Sequence, residues 1–446
     1  MDAISKGTSY ENLSVLDIAK RSSFKKYMYS LKGYAGVGKT TLTAQLIGEL
    51  LSEFNIVVTT PTHKALKVIK EMIRGNKLKN VKSSTIHSFL NLKMKKNFTT
   101  GKEDLIPDMS KEPKTCDILI IDESSMIGAE LFEHIQDALR HKRVKFILFI
   151  GDEGQILPVG ESSSAVYRVV KNETRLSEVM RCASDSDIIN IATRLRNCIE
   201  KKVYPSRTQL QKWLLDTNFK DVKTMTNEDD FLMEYINNFD PNEDTDTMCC
   251  FKNDTVNDIN QILRTCIKGD GSGMDELPEM MAGDKVIFQG AVSKEINGTE
   301  EVVYANGEEV RIERINNLRD EYYNLDYFEC MDYDDKGEPR TFKILTQESQ
   351  LRYDEMLYNI SNEAKVTSGK RKSEAWKKFF ELKEMFQEVK FSYCMTAHKS
   401  QGSSFRYSYV NMREIMDAIR YNGESFTYRL LYVSITRASK KAIILI

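Results

Sequence analysis

No run of about 18 apolar residues occurs anywhere in these 446 residues, so a membrane-spanning helix is not expected. The N-terminal segment has no apolar h-region, which argues against secretion and for a cytoplasmic setting. Cysteine is present without a pattern. The eight are scattered, and the adjacent pair Cys249-Cys250 cannot form a metal knuckle, so all eight read as reduced thiols rather than a disulfide or zinc framework. An excess of positive charge is also missing: the formal net charge is −2, which excludes a histone-like global attraction to nucleic acid. Finally, no glutamine precedes Gln45.

What is present is the composition of a globular chain, 41% hydrophobic and 29% charged, long enough for about two to four domains. Its positive charge is concentrated locally. Lys64, Lys67, Lys70, Arg74, Lys77, Lys79, Lys82, Lys93, Lys95, Lys96 and Lys102 follow one another with few acids between them. Such a stripe can follow a phosphate backbone, or can simply be a solvated face.

The most specific pattern is Gly33-Tyr34-Ala35-Gly36-Val37-Gly38-Lys39-Thr40-Thr41, which fits G-x-x-x-x-G-K-[ST]. An expected strand, Tyr27 to Leu31, precedes it. Leu42, Leu46, Leu50 and Leu51 follow at helical spacing. Glycines let successive N–H groups and a helix N-terminus face an anion. Gly33, Ala35, Gly36, Val37, Gly38, Lys39, Thr40 and Thr41 are therefore expected to hold a nucleoside triphosphate, with Lys39 on the β- and γ-phosphates and the Thr40 hydroxyl on Mg²⁺.

The α/β alternation continues. Asn55 to Thr60, Asp117 to Ile121 and Val144 to Ile150 read as apolar strands, and Leu66, Ile69, Met72 and Ile73 mark one helix face. Near-continuous apolar strands between helices imply a parallel sheet covered on both faces, with ligands at the carboxyl ends of its strands. Asp122-Glu123 and Gly151-Asp152 both fall at such ends. Asp122 can hold Mg²⁺ opposite Thr40, and Glu123 can polarise an attacking water as general base.

Eight segments occur in order: Gly33–Thr41, 60–63 (TPTH), 84–88 (STIHS), 122–126 (DESSM), 151–159 (GDEGQILPV), 176–181 (LSEVMR), 396–402 (TAHKSQG) and 432–438 (YVSITRA). This set resembles the motifs of superfamily 1 helicases, and within them the RecD/Dda-like branch, which moves 5′ to 3′ on single-stranded DNA. The resemblance implies an α/β fold of two RecA-like parallel-sheet motor domains with a small β-hairpin insertion and an SH3-like β-barrel plus helical insertion. The first motor domain would span 1–175, with a pin-like hairpin at 91–113. The second would combine 176–276 with 392–446, and the barrel would occupy 277–391.

By the same resemblance Gln155 would contact the γ-phosphate, and Arg181 and Arg437 would be arginine fingers. Pro61, Thr62, His63, Thr85, His87, Thr396, His398 and Lys399 would lie along the DNA backbone, although the three histidines can equally be core or capping residues. The hairpin is either a wedge, tipped by Phe98 or Leu105, or an ordinary surface hairpin. Ala375, Phe379, Leu382 and Phe386 form a stripe that reads first as a packing face. Relatives place a base-recognising glutamine before the phosphate loop; here Leu13-Ser14-Val15-Leu16-Asp17 stands in its place, so selectivity for ATP over other nucleotides is left open.

The expected activity is ATP- and Mg²⁺-dependent unwinding of DNA in replication, recombination or repair. Its partners would be single-stranded DNA, forked or tailed duplexes, and single-strand-binding and recombination proteins, with the chain acting as a monomer away from membranes. An RNA-directed motor, a translocase that does not unwind, or an ATP-gated clamp are the alternatives.

Overall fold

The computed structural model describes residues 27–446 except 159, 162, 177–185, 241–245, 270–276, 297–298 and 335. Leu13–Asp17, Arg181 and Asn297-Gly298 lie outside the described residues. Two compact units form. The first contains the described residues up to Leu92 together with Pro107–Lys252 and Thr396–Ile446; the second contains Lys93–Ile106 and Asn253–Met395.

In the first unit the strands are β1 (Met28–Gly33), β2 (Ile56–Thr60), β3 (Lys82–Thr85), β6 (Cys116–Ile121), β7 (Val144–Gly151) and β8 (Glu173–Leu176). The hairpin strands β4 (Leu92–Asn97) and β5 (Lys102–Pro107) interrupt them in sequence. The sheet order is β3-β2-β6-β7-β1-β8, with every pairing parallel. Its strands are apolar on both sides because both sides are covered. Leu31, Val58, Ile120 and Ile150 pack with Ala44, Ile47, Ile69 and Met72 of helices Lys39–Leu50 and His63–Gly75. On the other face Val57, Leu119, Ile121, Ile147 and Phe149 meet Phe89, Phe132 and Ile135.

A second parallel sheet sets Asp246–Cys250, Phe405–Asn411, Ala438–Leu445 and Val222–Met225 side by side. Helices Asp187–Lys201 and Glu424–Thr436 cover it with Ile188, Ile191, Leu195, Tyr428, Leu431 and Ile435. The two sheets are the expected pair of motor lobes.

The second unit departs from the expected boundaries at three places, since it takes in Lys93–Ile106, the helix Asn253–Lys268 and Ser392–Met395. Helix Asn253–Lys268 joins it instead of the second motor lobe, because the buried Arg264 guanidinium pairs with the equally buried Asp284 at 2.9 Å and Asn260 donates to Phe391 O and Cys394 O. The hairpin β4–β5 also belongs to it. The barrel strands Lys285–Phe288, Glu309–Arg311, Val389–Phe391, Arg314–Asp320, Leu325–Tyr333 and Pro339–Leu345 enclose Val286, Phe288, Tyr304, Cys330 and Phe342. Asn306-Gly307 lies in a turn between strands, with Gly307 at φ 76°.

Helices Gln347–Val366 and Gly369–Met385 extend the barrel. Ala375 and Leu382 are buried as expected, and Phe386 caps the helix in the same core as Tyr327 and Tyr353. The stripe is thus a packing face.

Among the described residues seven cysteines are free thiols, no His/Cys/Asp/Glu group has the arrangement of a metal site, and no helix is long and apolar enough to cross a membrane.

Candidate active site

β1 delivers the chain to a loop whose Gly36 and Gly38 take φ 80° and 79°, a left-handed backbone that residues with a Cβ adopt at a cost. Gly38 is the N-cap of helix Lys39–Leu50 and has no side chain to accept from the first-turn N–H groups, so those donors face outward as an anion site. Lys39 Nζ donates to Gly33 O at 2.8 Å and Tyr34 O at 2.9 Å, folding the ammonium over the loop. Val37 is buried beneath it, while Thr40 and Thr41 are exposed at the helix start.

Asp122 and Glu123 follow β6, two strands from β1 in the sheet. Glu123 sits at φ 52°, a strained position that costs roughly 1–2 kcal/mol. That geometry turns the chain from the strand into the Ser124–Met126 turn and aims the Glu123 N–H at Asp122 Oδ1, 2.8 Å away. Burial first, and then the Glu123 charge, pushes the Asp122 carboxyl up to about 7, partly offset by that N–H bond and by Lys39. Two acids crowded beside one lysine form a donor set that a divalent cation would relieve.

β7 ends in Gly151-Asp152. Burial raises the Asp152 carboxyl above the usual range, against the pull of Lys39 and of two hydrogen bonds. Those bonds come from the Gly154 N–H at 2.8 Å and the Tyr432 hydroxyl at 2.5 Å. Gln155 Oε1 accepts from Ser125 Oγ and from Gln401 Nε2, both at 2.9 Å, so it joins three separate motifs. Arg429 of helix Glu424–Thr436 donates to Glu153 O and, at 2.7 Å, to Gln155 O. Arg437 is buried in its own lobe, where it donates to Val433 O at 3.1 Å and Ser403 O at 2.8 Å. Tyr34 of the phosphate loop bonds Glu200, receives Arg175 Nη1 at 2.8 Å, and lies under the Arg196 guanidinium at 3.7 Å.

Of the residues expected along a strand, Pro61, Thr62, His63, Thr85 and His87 stand at or just past the carboxyl ends of β2 and β3, where Thr60 and Thr85 are in register. Thr62 caps helix His63–Gly75 by accepting from Ala65 N at 3.2 Å, and Thr85 caps Ile86–Leu90 by accepting from Ser88 N at 3.2 Å. Thr396 accepts from Lys399 N at 3.4 Å. Each hydroxyl uses a lone pair on its own backbone and keeps its hydrogen for an acceptor. Pro61 is half-buried ahead of Thr62, and a Cβ on Gly402 would lie 3.7 Å from Thr62 Oγ1, which brings the 396–402 segment to this edge. His63 is exposed; His87 is half-buried and held below the ordinary histidine range by burial and by His63 and His134. His398 is likewise lowered by burial and packs on Phe426 at 5.4 Å.

In the second unit Phe98 meets Phe380 edge-on at 5.9 Å, Lys96 pairs with Glu384, and a Cβ on Gly101 would overlap the Trp376 ring. The hairpin tip is therefore docked on helix Gly369–Met385, and Phe98 keeps 38% of its surface exposed. Leu105 is half-buried on the returning strand. The basic stripe is divided: Lys64 to Lys82 belong to the first unit, Lys93 to Lys102 to the second.

Sequence reasoning missed Tyr34, Arg175, Arg429 and, as individuals, Gln401 and Tyr432. Tyr34, Gln401 and Tyr432 lie inside recognised segments, and Arg429 stands one turn before Tyr432 on the same helix face, a spacing that could have drawn attention to it.

Three family descriptions match this chain: AAA domain over residues 17–161, Dda helicase SH3 domain over 278–391, and UvrD-like helicase C-terminal domain over 391–445. The ATP-dependent DNA helicase dda of Enterobacteria phage T4 is 26% identical across 94% of each chain. The ATP-dependent DNA helicase Pif1 of Campylobacter jejuni is 26% identical across 92% of this chain and 86% of that one. In fold the chain is similar to Bacteroides Pif1 bound to single-stranded DNA, with TM-score 0.50 and 16% identity over 97% of this chain and 92% of that one.

Proposed function

We propose that this chain is a Dda-like helicase of superfamily 1 that hydrolyses ATP to move 5′ to 3′ along single-stranded DNA and opens duplex ahead of it. The observation that carries this reading is convergence. The phosphate loop, Asp122-Glu123 and Asp152 stand at the carboxyl ends of three strands of one lobe, while Gln401, Arg429 and Tyr432 of the other lobe bond directly to the turn after β7.

The donor set fits Mg²⁺: the exposed Thr40 hydroxyl and the crowded Asp122 carboxylate would hold it, and when bound it neutralises charge on the β- and γ-phosphate oxygens. The remaining work falls to side chains. Lys39 supplies positive charge at the loop, and Glu123 takes the proton of the attacking water. Gln155, bridging Ser125 and Gln401, relays the state of the first lobe to the 396–402 segment. Arg437 and Arg181 are proposed to stabilise charge on the transferring phosphoryl group, which for Arg437 requires release from Ser403 O and Val433 O.

Thr62, His63, Thr85, His87, Thr396, His398 and Lys399 form the surface proposed to hold the DNA backbone, which hydroxyl and N–H donors position without reading sequence. In the second unit, the hairpin held by Trp376, Phe380 and Glu384 is proposed to act as the wedge, with the exposed part of Phe98 nearest its tip.

Duplexes with a single 5′ or 3′ tail, each incubated with ATP and with other nucleotides, test the assignment. Opening from the 5′ tail alone is expected. Opening from the 3′ tail overturns the polarity, and no oligonucleotide-stimulated ATP consumption overturns the motor itself.

A further inference from the structure

Helix Glu424–Thr436 of the second lobe touches two parts of the first lobe through one side chain. The Tyr432 hydroxyl donates to Asp152 Oδ2 at 2.5 Å and accepts from the Ala35 N–H of the phosphate loop at 3.1 Å. Its ring is wholly buried and lies against Gly154, where an added Cβ would approach Tyr432 Cε1 to 3.2 Å. One turn earlier Arg429 holds the carbonyls of Glu153 and Gln155, so the turn 152–155 is gripped through its side chain and its backbone together. Tyr34 supplies the reciprocal contact, extending from the loop to Glu200 and Arg196 of the second lobe.

We propose that Tyr432 is a positioning residue, whose hydroxyl ties the phosphate loop and the turn after β7 to the second lobe so that lobe closure and phosphate chemistry occur together. The inference rests on the ATP-motor reading. It follows from the connectivity of a single oxygen. The hydroxyl has one hydrogen and can use a lone pair, and both are engaged in opposite directions: toward a buried carboxylate on β7 and from a loop amide next to β1. Movement of the second lobe therefore alters both contacts at once. A hydrogen bond to a buried carboxylate is among the stronger kinds, so its loss is felt at the loop as well as at Asp152.

The test is Tyr432→Phe in the full chain, which removes one oxygen and keeps the ring packed on Gly154. Strand-stimulated ATP turnover and base pairs opened per ATP are measured, alone and combined with Asp152→Asn. The expected result is a kcat lowered roughly tenfold, as one charged hydrogen bond implies, with KM for ATP changed less than about twofold. Fewer base pairs should open per ATP, the thermal midpoint should fall by no more than a few degrees, as one lost buried hydrogen bond implies, so that the chain stays folded at the assay temperature, and the double variant should be little worse than the worse single one. Unchanged kcat and coupling, a rise in KM alone, a lowered midpoint that accounts for the loss, or additive effects in the double variant each overturn the proposal. Absence of stimulated ATP turnover in the unsubstituted chain would instead overturn the motor reading on which it stands.

Discussion

The cleft end of the first sheet and the hairpin of the second unit hold a functional element still by opposite means. At the cleft, buried polar groups restrain one another: Asp152, Gln155, Tyr432, Gln401 and Arg429 are linked by directional hydrogen bonds across two lobes. At the hairpin, ring contact dominates, with Trp376 and Phe380 against residues 98–101 beside the ion pair of Lys96 and Glu384. Directional bonds can be exchanged when a ligand arrives, since each partner has an alternative in water or phosphate. Apolar packing has no such alternative, so it suits a part that must stay rigid while the motor moves.

The largest effects belong to the cleft. Lys39→Ala should lower ATP turnover by at least about 10²–10³-fold and abolish unwinding while strand binding remains, because the loop loses its charge and nothing on the β2–β3 edge changes. Steady-state ATPase and filter binding read the two sides. Glu123→Gln should reduce turnover by about 10²–10⁴-fold with ATP binding kept, as expected for a general base. If either variant weakened DNA binding as much as turnover, the separation of cleft from strand edge would fail.

Substitutions at the hairpin should instead separate unwinding from fuel use. Trp376→Ala removes a buried ring at a cost of about 3–5 kcal/mol to the second unit, and should cut duplex opening several-fold while ATPase on single strands persists. Gly101→Ala, at φ 72° and against Trp376, should do the same with less general destabilisation. Equal losses of ATPase and opening would remove the distinction between the two regions.

At the strand edge, Thr62→Ala should cost about 1 kcal/mol of stability through its lost N-cap, together with a small drop in DNA affinity. The mildest effect concerns pH. Burial lowers the folded-state values of His87 and His398 below the ordinary value of 6.5. The unfolded chain therefore binds more protons just below that pH. Their contribution is present above 6.5 and is lost as pH falls toward the lower folded values. Melting midpoints should decline through that window, and less so in His87→Gln.

Much of the site was legible because its chemistry demands local sequence. A phosphate loop needs glycines at fixed spacing followed by a lysine, and a carboxylate at a strand end follows an apolar run, so Lys39, Asp122 and Glu123 could be named in advance. The first sheet was readable for the same reason, since strands buried on both faces are continuously apolar. The barrel was only partly readable. Its strands Val292–Ile296, Arg314–Asp320 and Pro339–Leu345 carry many polar residues and match no apolar run, and their pairing arises from neighbours across the sheet.

The sequence by itself determined the chemical inventory: which residues can bind phosphate, hold a cation, take a proton or donate to a backbone, and that two parallel sheets would present them. Tertiary structure alone decided which of those groups meet. Tyr432 reaches Asp152 across 280 positions of chain, and hairpin residue Phe98 reaches Phe380 in a unit otherwise built from residues beyond Asn253. Such pairings leave no local periodicity, because a contact between distant segments constrains each partner's size and polarity but not its spacing from the other.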